Sequence, residues 1–94
     1  MQENNIRSER DVEKVLKIRV NSLGGTCEKF TSPGRRSVPD RIITMPKGKI
    51  IFVEVKKKGK KITRAQKNDH DRRQALGCDV RVIEGIEMAN AFKA

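Results

Sequence analysis

The stretch SVPDRIITMPKGKIIFVEVKKKGKK reads as two apolar strands around a turn, and three charged side chains lie at the ends of those strands. Asp40 opens the first apolar run, and Glu54 and Lys56 lie at the far end of the second. A charge within a buried strand costs free energy unless it is paired or binds a metal. Two carboxylates suit a hard divalent cation, which can polarise a phosphodiester and lower the pKa of a bound water. A nearby lysine could orient that water or stabilise charge on the phosphate.

The spacing of these residues predicts that they converge. Side chains alternate between the two faces of a strand, so Glu54 and Lys56 project from the same face. If the segment PKGK forms a hairpin turn, the start of the first strand lies beside the end of the second. Asp40 then approaches Glu54 and Lys56 at one edge of a sheet.

The elements that must position this edge follow from hydrophobic periodicity and turn residues. A helix is predicted in SERDVEKVLKIRVNSLGG, with Ser8 as N-cap and Gly24 and Gly25 as its end. The strands are TCEKFT, DRIITM, IIFVEVK and CDVRVIE. A polar helix, TRAQKNDHDRRQALG, precedes the last strand, and GIEMANAFKA is a short final helix. The order predicts an α/β fold, with a mixed central sheet flanked by helices.

Length and charge restrict the functional class. The chain has 94 residues, which predicts a single domain over residues 1–94, and its formal charge of +10 favours nucleic acid or an anionic membrane as partner. No apolar run approaches the ~20 residues of a membrane-spanning helix. The N-terminal MQENNIRSER has no apolar segment typical of a signal peptide, so we expect an intracellular protein. The chain has no Trp or Tyr for base stacking, so contacts should be mainly with phosphates.

Basic side chains flank the predicted site in two loops. The candidate DNA contacts are Arg35, Arg36, Lys57, Lys58, Lys60 and Lys61. Such contacts confer affinity and salt dependence but no sequence preference.

Three further residues invite a chemical interpretation. Cys27 and Cys78 lie far apart in no zinc-type spacing, so we expect both to be reduced and in or near the core. His70 lies four residues after Gln66, on the same helix face, where it could approach DNA. Because the helix has few apolar residues, we expect it to pack shallowly and leave His70 exposed to solvent.

The residues Pro39-Asp40 and Glu54-Val55-Lys56 resemble the motif of the PD-(D/E)xK nuclease superfamily, and the predicted element order matches its restriction-endonuclease-like core. The stretch FTSPGRRSVPDRIITMPKGKIIFVEVKKKGKKITRAQ is similar to the VRR-NUC family, a nuclease domain that occurs in larger repair proteins and as small stand-alone phage proteins. The resemblance extends from about Glu13 to Glu84. The chain departs from it at Ser37, where the family pattern has a glycine.

The resemblance implies roles for individual residues. Asp40, Glu54 and the carbonyl of Val55 would bind the metal, and Lys56 and Gln66 would position water and phosphate. A glutamate of the first helix would act through a bound water or a second metal. Glu13 fits that position best, and Glu9 is a possible substitute.

We therefore expect a Mg²⁺-dependent endonuclease, with Mn²⁺ as substitute, that cuts branched DNA and leaves a 5′-phosphate. The leading hypothesis is a Holliday junction resolvase that acts in DNA recombination or repair. Stand-alone family members resemble junction resolvases, and a two-fold homodimer has the two active sites that two cuts require.

A phage-encoded protein would act in the cytoplasm of a bacterial host. The dimer contact is expected from the first helix or from some of the apolar residues of the last one, Ile86, Met88, Ala89 and Phe92. The alternatives are a flap- or nick-directed nuclease and a non-catalytic basic nucleic-acid-binding module.

Overall fold

The computed structural model describes residues 8–94. The expectation about a signal peptide falls mostly on residues 1–7 and lies outside this range. The elements in order are α1 (Glu9–Ser22), β1 (Thr26–Lys29), β2 (Arg41–Met45), β3 (Lys49–Lys56), α2 (Arg64–Ala75), β4 (Asp79–Glu84) and α3 (Gly85–Asn90). The predicted order of helix, three strands, helix, strand and helix is confirmed. No helix within residues 8–94 combines the length and apolarity needed to cross a membrane.

The sheet has four strands in the order β1-β2-β3-β4. β1 pairs with β2 and β2 pairs with β3 in antiparallel fashion, whereas β3 and β4 are parallel. The predicted hairpin joins β2 to β3 through Pro46–Gly48, where Lys47 and Gly48 both have positive φ. Helix α2 supplies the crossover that a parallel pair requires. The sheet is therefore mixed, as the sequence predicted.

Alternation along β3 divides the sheet into two chemically different faces. Ile51, Val53 and Val55 are fully buried on the face that α1 and α3 cover. Helix α1 contributes Val12, Leu16 and Val20 to this core, and it begins with a capping box between Ser8 and Asp11. The opposite face of β3 presents Phe52, Glu54 and Lys56 toward α2.

Helix α2 packs against the sheet through polar side chains. It lies closer to the sheet than the shallow packing that the sequence predicts. Its buried residues are Asp69 and His70. The guanidinium of Arg73 lies 5.3 Å from the ring centre of Phe30 and 5.1 Å from that of Phe52. Arg73 Nε also donates to Asp69 Oδ2 at 2.7 Å. Cation–π contacts to Phe30 and Phe52 thus replace the apolar stripe that the helix lacks, and the charge-assisted hydrogen bond within α2 holds the guanidinium.

The C-terminal helix has fewer exposed apolar side chains than the predicted dimer contact assumed. Ala89 and Phe92 belong to the core, with exposures of 0% and 3%, so of the four apolar residues only Ile86 and Met88 stay candidates for a contact with a second copy. Ile86 is half-buried, and Met88 is 46% exposed. Both cysteines are free, with Cys27 buried and Cys78 half-buried.

Candidate functional site

Asp40 and Glu54 face each other at the edge where β2 begins. The β2–β3 register pairs Arg41 with Val53, and its continuation by one residue places Asp40 opposite Glu54. Opposed residues of antiparallel strands project from the same face, so the two carboxylates are neighbours. The convergence predicted from alternation and the hairpin is therefore present in the structure.

The carboxylate of Asp40 also completes the sheet. Oδ2 of Asp40 accepts a hydrogen bond from N of Val55 at 2.8 Å, and its backbone oxygen accepts one from N of Phe30 at 2.9 Å. The preceding residue, Pro39, is buried and has no N–H to continue the ladder. In an extended strand the N–H and C=O of one residue point to the same side, so the carbonyl of Val55 also faces Asp40.

The approach to Asp40 contains a strained residue. Ser37 has a φ of 60°, in the left-handed region that non-glycine residues avoid. This is the position at which the family resemblance led us to expect glycine. The backbone conformation explains that expectation, because glycine adopts positive φ without steric cost.

Glu54 is 1% exposed, and α2 contacts both of its carboxylate oxygens. Nε2 of Gln66 donates to Oε2 at 3.2 Å, and Nε2 of His70 lies 3.3 Å from Oε1. The oxygen of the Gln66 amide accepts a hydrogen bond from N of Thr63 at 2.8 Å as part of a capping box. The cap thereby orients the amide so that its NH₂ group faces Glu54.

Burial determines the protonation states of Glu54 and His70. Desolvation, followed by a hydrogen bond and charge repulsion with Asp40, raises the pKa of Glu54 to about 8. Burial lowers the pKa of His70, despite the nearby carboxylates of Asp69 and Asp71. In the metal-free protein at neutral pH, the contact between Glu54 and His70 is therefore a hydrogen bond between uncharged partners rather than an ion pair.

Lys56 lies on the same face of β3 as Glu54 and is 5% exposed. Its positive charge lowers the pKa of Glu54, in opposition to burial and Asp40. The structure thus brings together four of the predicted side chains, those of Asp40, Glu54, Lys56 and Gln66.

Glu13 has a different partner. Its Oε1 accepts a hydrogen bond from Nη2 of Arg41 at 3.2 Å, in a partly buried ion pair. Glu9, one turn earlier on α1, is close enough for its charge to raise the pKa of Glu54.

The predicted basic residues are exposed in two loops. Arg35 and Arg36 lie between β1 and β2, and the four lysines lie between β3 and α2. Glu84 anchors the lysine loop, because its Oε2 accepts a hydrogen bond from N of Gly59 at 2.7 Å and its Oε1 lies 3.7 Å from Nζ of Lys61. The loop that carries the lysines therefore starts directly after Lys56 and is fixed to the end of β4.

The donor set suits a hard cation. The two facing carboxylates and the carbonyl of Val55 are oxygen ligands, and Mg²⁺ is commonly held by one or two carboxylates while it retains several waters. Among residues 8–94, no group of three or more His, Cys, Asp and Glu side chains has a metal-binding arrangement. The residues present therefore fit a water-rich Mg²⁺ site better than an all-protein cage.

The structure corrects the interpretation of His70. We expected a solvent-exposed histidine, but the residue is 4% exposed and contacts Glu54. Its position four residues after Gln66 was the signal that could have indicated this contact, because both side chains lie on one helix face.

Comparisons with known proteins identify the family of the chain. The model of the VRR-NUC domain family matches residues 3–87. "Putative nuclease p44" of Acyrthosiphon pisum secondary endosymbiont phage 1 is 45% identical over 86 residues, which is 92% of each chain. A solved VRR_NUC domain superposes with a TM-score of 0.80 at 31% identity, over 88% of this chain and 90% of that chain. A second, a VRR_NUC domain protein, is 19% identical with a TM-score of 0.70 over 90% of this chain and 84% of that chain, and it supports the fold. The chain therefore belongs to the VRR-NUC domain family.

Proposed function

We propose that this protein is a metal-dependent endonuclease that hydrolyses phosphodiester bonds in branched DNA. The observation that carries the proposal is the apposition of Asp40 and Glu54, with Lys56 on the same strand face. Two ionised carboxylates side by side in a largely buried site would repel each other, and a divalent cation would stabilise the ionised pair. Membership of a nuclease-type domain family and a relative named as a nuclease support the same chemistry.

Each residue of the site has a proposed role. Asp40, Glu54 and the carbonyl of Val55 would hold Mg²⁺ or Mn²⁺, which when bound would stabilise negative charge and acidify a coordinated water. The ammonium group of Lys56 would stabilise charge that develops on the phosphate. Gln66 would orient Glu54 through its amide and contribute to the placement of water and phosphate. Glu13 or Glu9 would act from α1 through water or a second metal.

The exposed basic loops would bind the DNA backbone. Their side chains are unburied, and they lie on segments adjoining Asp40 and Lys56. Contacts of this kind neutralise phosphates and release counterions, so binding should weaken steeply with salt. Phosphate contacts orient the substrate without reading its bases.

A four-way junction is the substrate we favour. The described elements include no helix or ribbon that stands out as a major-groove reader, so DNA shape rather than sequence should select the substrate. Symmetric resolution requires two cuts, and a two-fold homodimer presents two sites. A flap- or nick-directed activity is the alternative within the same chemistry.

The dimer contact is proposed on the outer surface of α1 and α3, which pack against each other on one face of the sheet. Ile18 is 69% exposed and Met88 is 46% exposed, and both are large apolar side chains. Substitution of either by glutamate should shift the protein from dimer to monomer in sedimentation. A protein that sediments as a monomer before substitution would contradict the dimer.

Cleavage of labelled DNA tests the proposal. A four-way junction, a 5′ flap and a plain duplex are incubated with Mg²⁺ or Mn²⁺ and either the unmodified protein or Lys56→Ala. Lys93→Ala, at an exposed position outside both basic loops, is the matched control for loss of a single lysine. We expect paired symmetric cuts in the junction that Lys56→Ala abolishes and Lys93→Ala retains.

The other outcomes separate the alternatives. Cleavage of the flap alone would keep the chemistry and exclude the resolvase. Tight DNA binding without cleavage under either metal would contradict the nuclease and favour a non-catalytic basic module.

A further inference from the structure

Helix α2 holds Glu54 by both carboxylate oxygens. Gln66 and His70 lie one turn apart on α2, and they contact Oε2 and Oε1 of Glu54 at 3.2 and 3.3 Å. The terminal torsion of a glutamate is broad and weakly restrained on its own. Contacts to both oxygens from one rigid helix fix the plane of the carboxylate, which determines where its remaining lone pairs point.

The burial of His70 indicates that this contact is specific. The residue is 4% exposed on a helix that otherwise buries only Asp69, among the residues the structure describes. A buried imidazole costs free energy unless its nitrogens find partners. Glu54, itself 1% exposed, is the partner that the structure provides.

The chemistry of the contact matches a metal-binding carboxylate. An ionised Glu54 can only accept hydrogen bonds, so the tautomer of His70 with hydrogen on Nε2 is the one that can hold it. Each oxygen retains a lone pair for a cation, because each accepts one hydrogen bond from α2. Groups that hydrogen-bond to metal ligands in this way typically change metal affinity 10- to 100-fold when removed.

We propose that His70 is a positioning residue that, together with Gln66, presents Glu54 to the divalent cation. The inference rests on the proposed metal-dependent function, and it assigns to the second helix a task in metal binding beyond its packing on the sheet. His70 touches neither water nor phosphate in this account. It acts only through the orientation of Glu54.

The identity of the contacting nitrogen permits a sharp test. Nε2 of a glutamine at position 70 would occupy nearly the same place as Nε2 of the histidine, whereas the amide of asparagine ends one bond short. Mn²⁺ affinity is measured by titration calorimetry at fixed pH on the unmodified protein and on His70→Ala, His70→Asn and His70→Gln. Asn68→Ala, at an exposed position on the same helix, is the matched control. Circular dichroism and the Tm of each variant establish that it is folded.

We expect His70→Ala and His70→Asn to weaken Mn²⁺ binding about 10- to 100-fold, and His70→Gln to restore it to within about 3-fold. Asn68→Ala should bind Mn²⁺ as the unmodified protein does. If His70→Ala does not fold, the comparison of the glutamine and asparagine variants still decides. Equal affinities of those two variants, or unchanged affinity in folded His70→Ala, would overturn this inference and leave the nuclease proposal intact. Absence of Mn²⁺ binding by the unmodified protein would overturn both.

Discussion

Oδ2 of Asp40 accepts a hydrogen bond from the backbone N of Val55 at 2.8 Å. This bond joins the start of β2 to the end of β3. The carboxylate of Asp40 thus stabilises the pairing of β2 and β3 through one oxygen, and it also faces Glu54 at the same edge of the sheet. The proposed metal site is therefore built into the strand pairing, and its geometry depends on the sheet rather than on a loop. Rigid elements hold reactive groups more accurately than loops do.

The structural and chemical roles of Asp40 can be separated by substitution. Asp40→Asn retains an oxygen that accepts from N of Val55, whereas Asp40→Ala leaves this buried N–H without a partner. An unsatisfied buried donor costs roughly 1–3 kcal/mol. We expect Asp40→Ala to unfold at a Tm lower by about 4–8 °C for each kcal/mol, with Asp40→Asn close to the unmodified protein. Equal Tm values for the two variants would show that the hydrogen bond does not stabilise the sheet.

The pH dependence of stability should reveal the buried carboxyl group of Glu54. Its pKa rises from the ordinary 4.5 to about 8 in the folded metal-free protein. A raised folded pKa contributes stability at low pH that is lost as the pH rises through about 8. The lowered pKa of His70 acts in the opposite direction, and only below its ordinary value of 6.5. Between these two values, the metal-free protein should lose stability as the pH increases.

Thermal unfolding in the presence of a chelator measures this effect. The Tm of the unmodified protein should fall between pH 6.5 and pH 8, the limits that the two groups define. Glu54→Gln carries a neutral amide at every pH and should show a flatter profile. A Tm of the unmodified protein that is constant or rises over this interval would contradict the assignment.

The strained backbone at Ser37 predicts a stabilising substitution. Its φ of 60° costs free energy for any residue with a Cβ, and Ser37→Gly should stabilise the protein by roughly 0.5–1 kcal/mol. Ser32→Gly, in the same loop, is the matched control, because Ser32 is not among the described residues with positive φ. Denaturant unfolding should show a gain for Ser37→Gly and none for Ser32→Gly. A loss of stability in both variants would contradict the strain.

The docking of α2 should depend on one arginine more than on its neighbour. Arg73 contacts Phe30, Phe52 and Asp69, with a side chain 13% exposed, whereas Arg72 pairs with the same aspartate and is 37% exposed. Lysine cannot reproduce the planar guanidinium that contacts both rings. We expect Arg73→Lys to lower the free energy of unfolding by about 1–2 kcal/mol and Arg72→Lys by less than half of that. Similar losses in urea titrations would argue against the cation–π packing.

The sequence predicted the Asp40–Glu54 apposition because both of its determinants are local. Strand alternation and a short hairpin fix which side chains face each other, and both could be inferred from the chain between residues 40 and 56. The burial of His70 could not be predicted from such local patterns. Its burial depends on Glu54, and α2 is held by Phe30 and Phe52 through Arg73, all of them contacts between distant segments. A helix that docks by such contacts lacks the apolar periodicity from which packing is predicted.

Glu13 illustrates a second reason. Family resemblance identified a glutamate of α1 by its distance from the closing glycines, but the partner of each glutamate depends on helix rotation. In the structure Glu13 pairs with Arg41, and Glu9 affects Glu54. Sequence spacing could not distinguish the two, because they lie one turn apart on the same helix.

The most direct test of the central claim is the single-turnover cleavage rate of a labelled four-way junction by Asp40→Asn in saturating Mg²⁺. This variant keeps the acceptor for Val55 but removes the negative charge of the proposed metal ligand. Asp71→Asn removes an exposed charge of the same kind, which pairs with Lys67 on α2. We predict a rate reduced roughly 100- to 1,000-fold in Asp40→Asn, with unchanged Tm, and a rate near that of the unmodified protein in Asp71→Asn. Full activity of a folded Asp40→Asn would contradict a metal-dependent site built on Asp40 and Glu54.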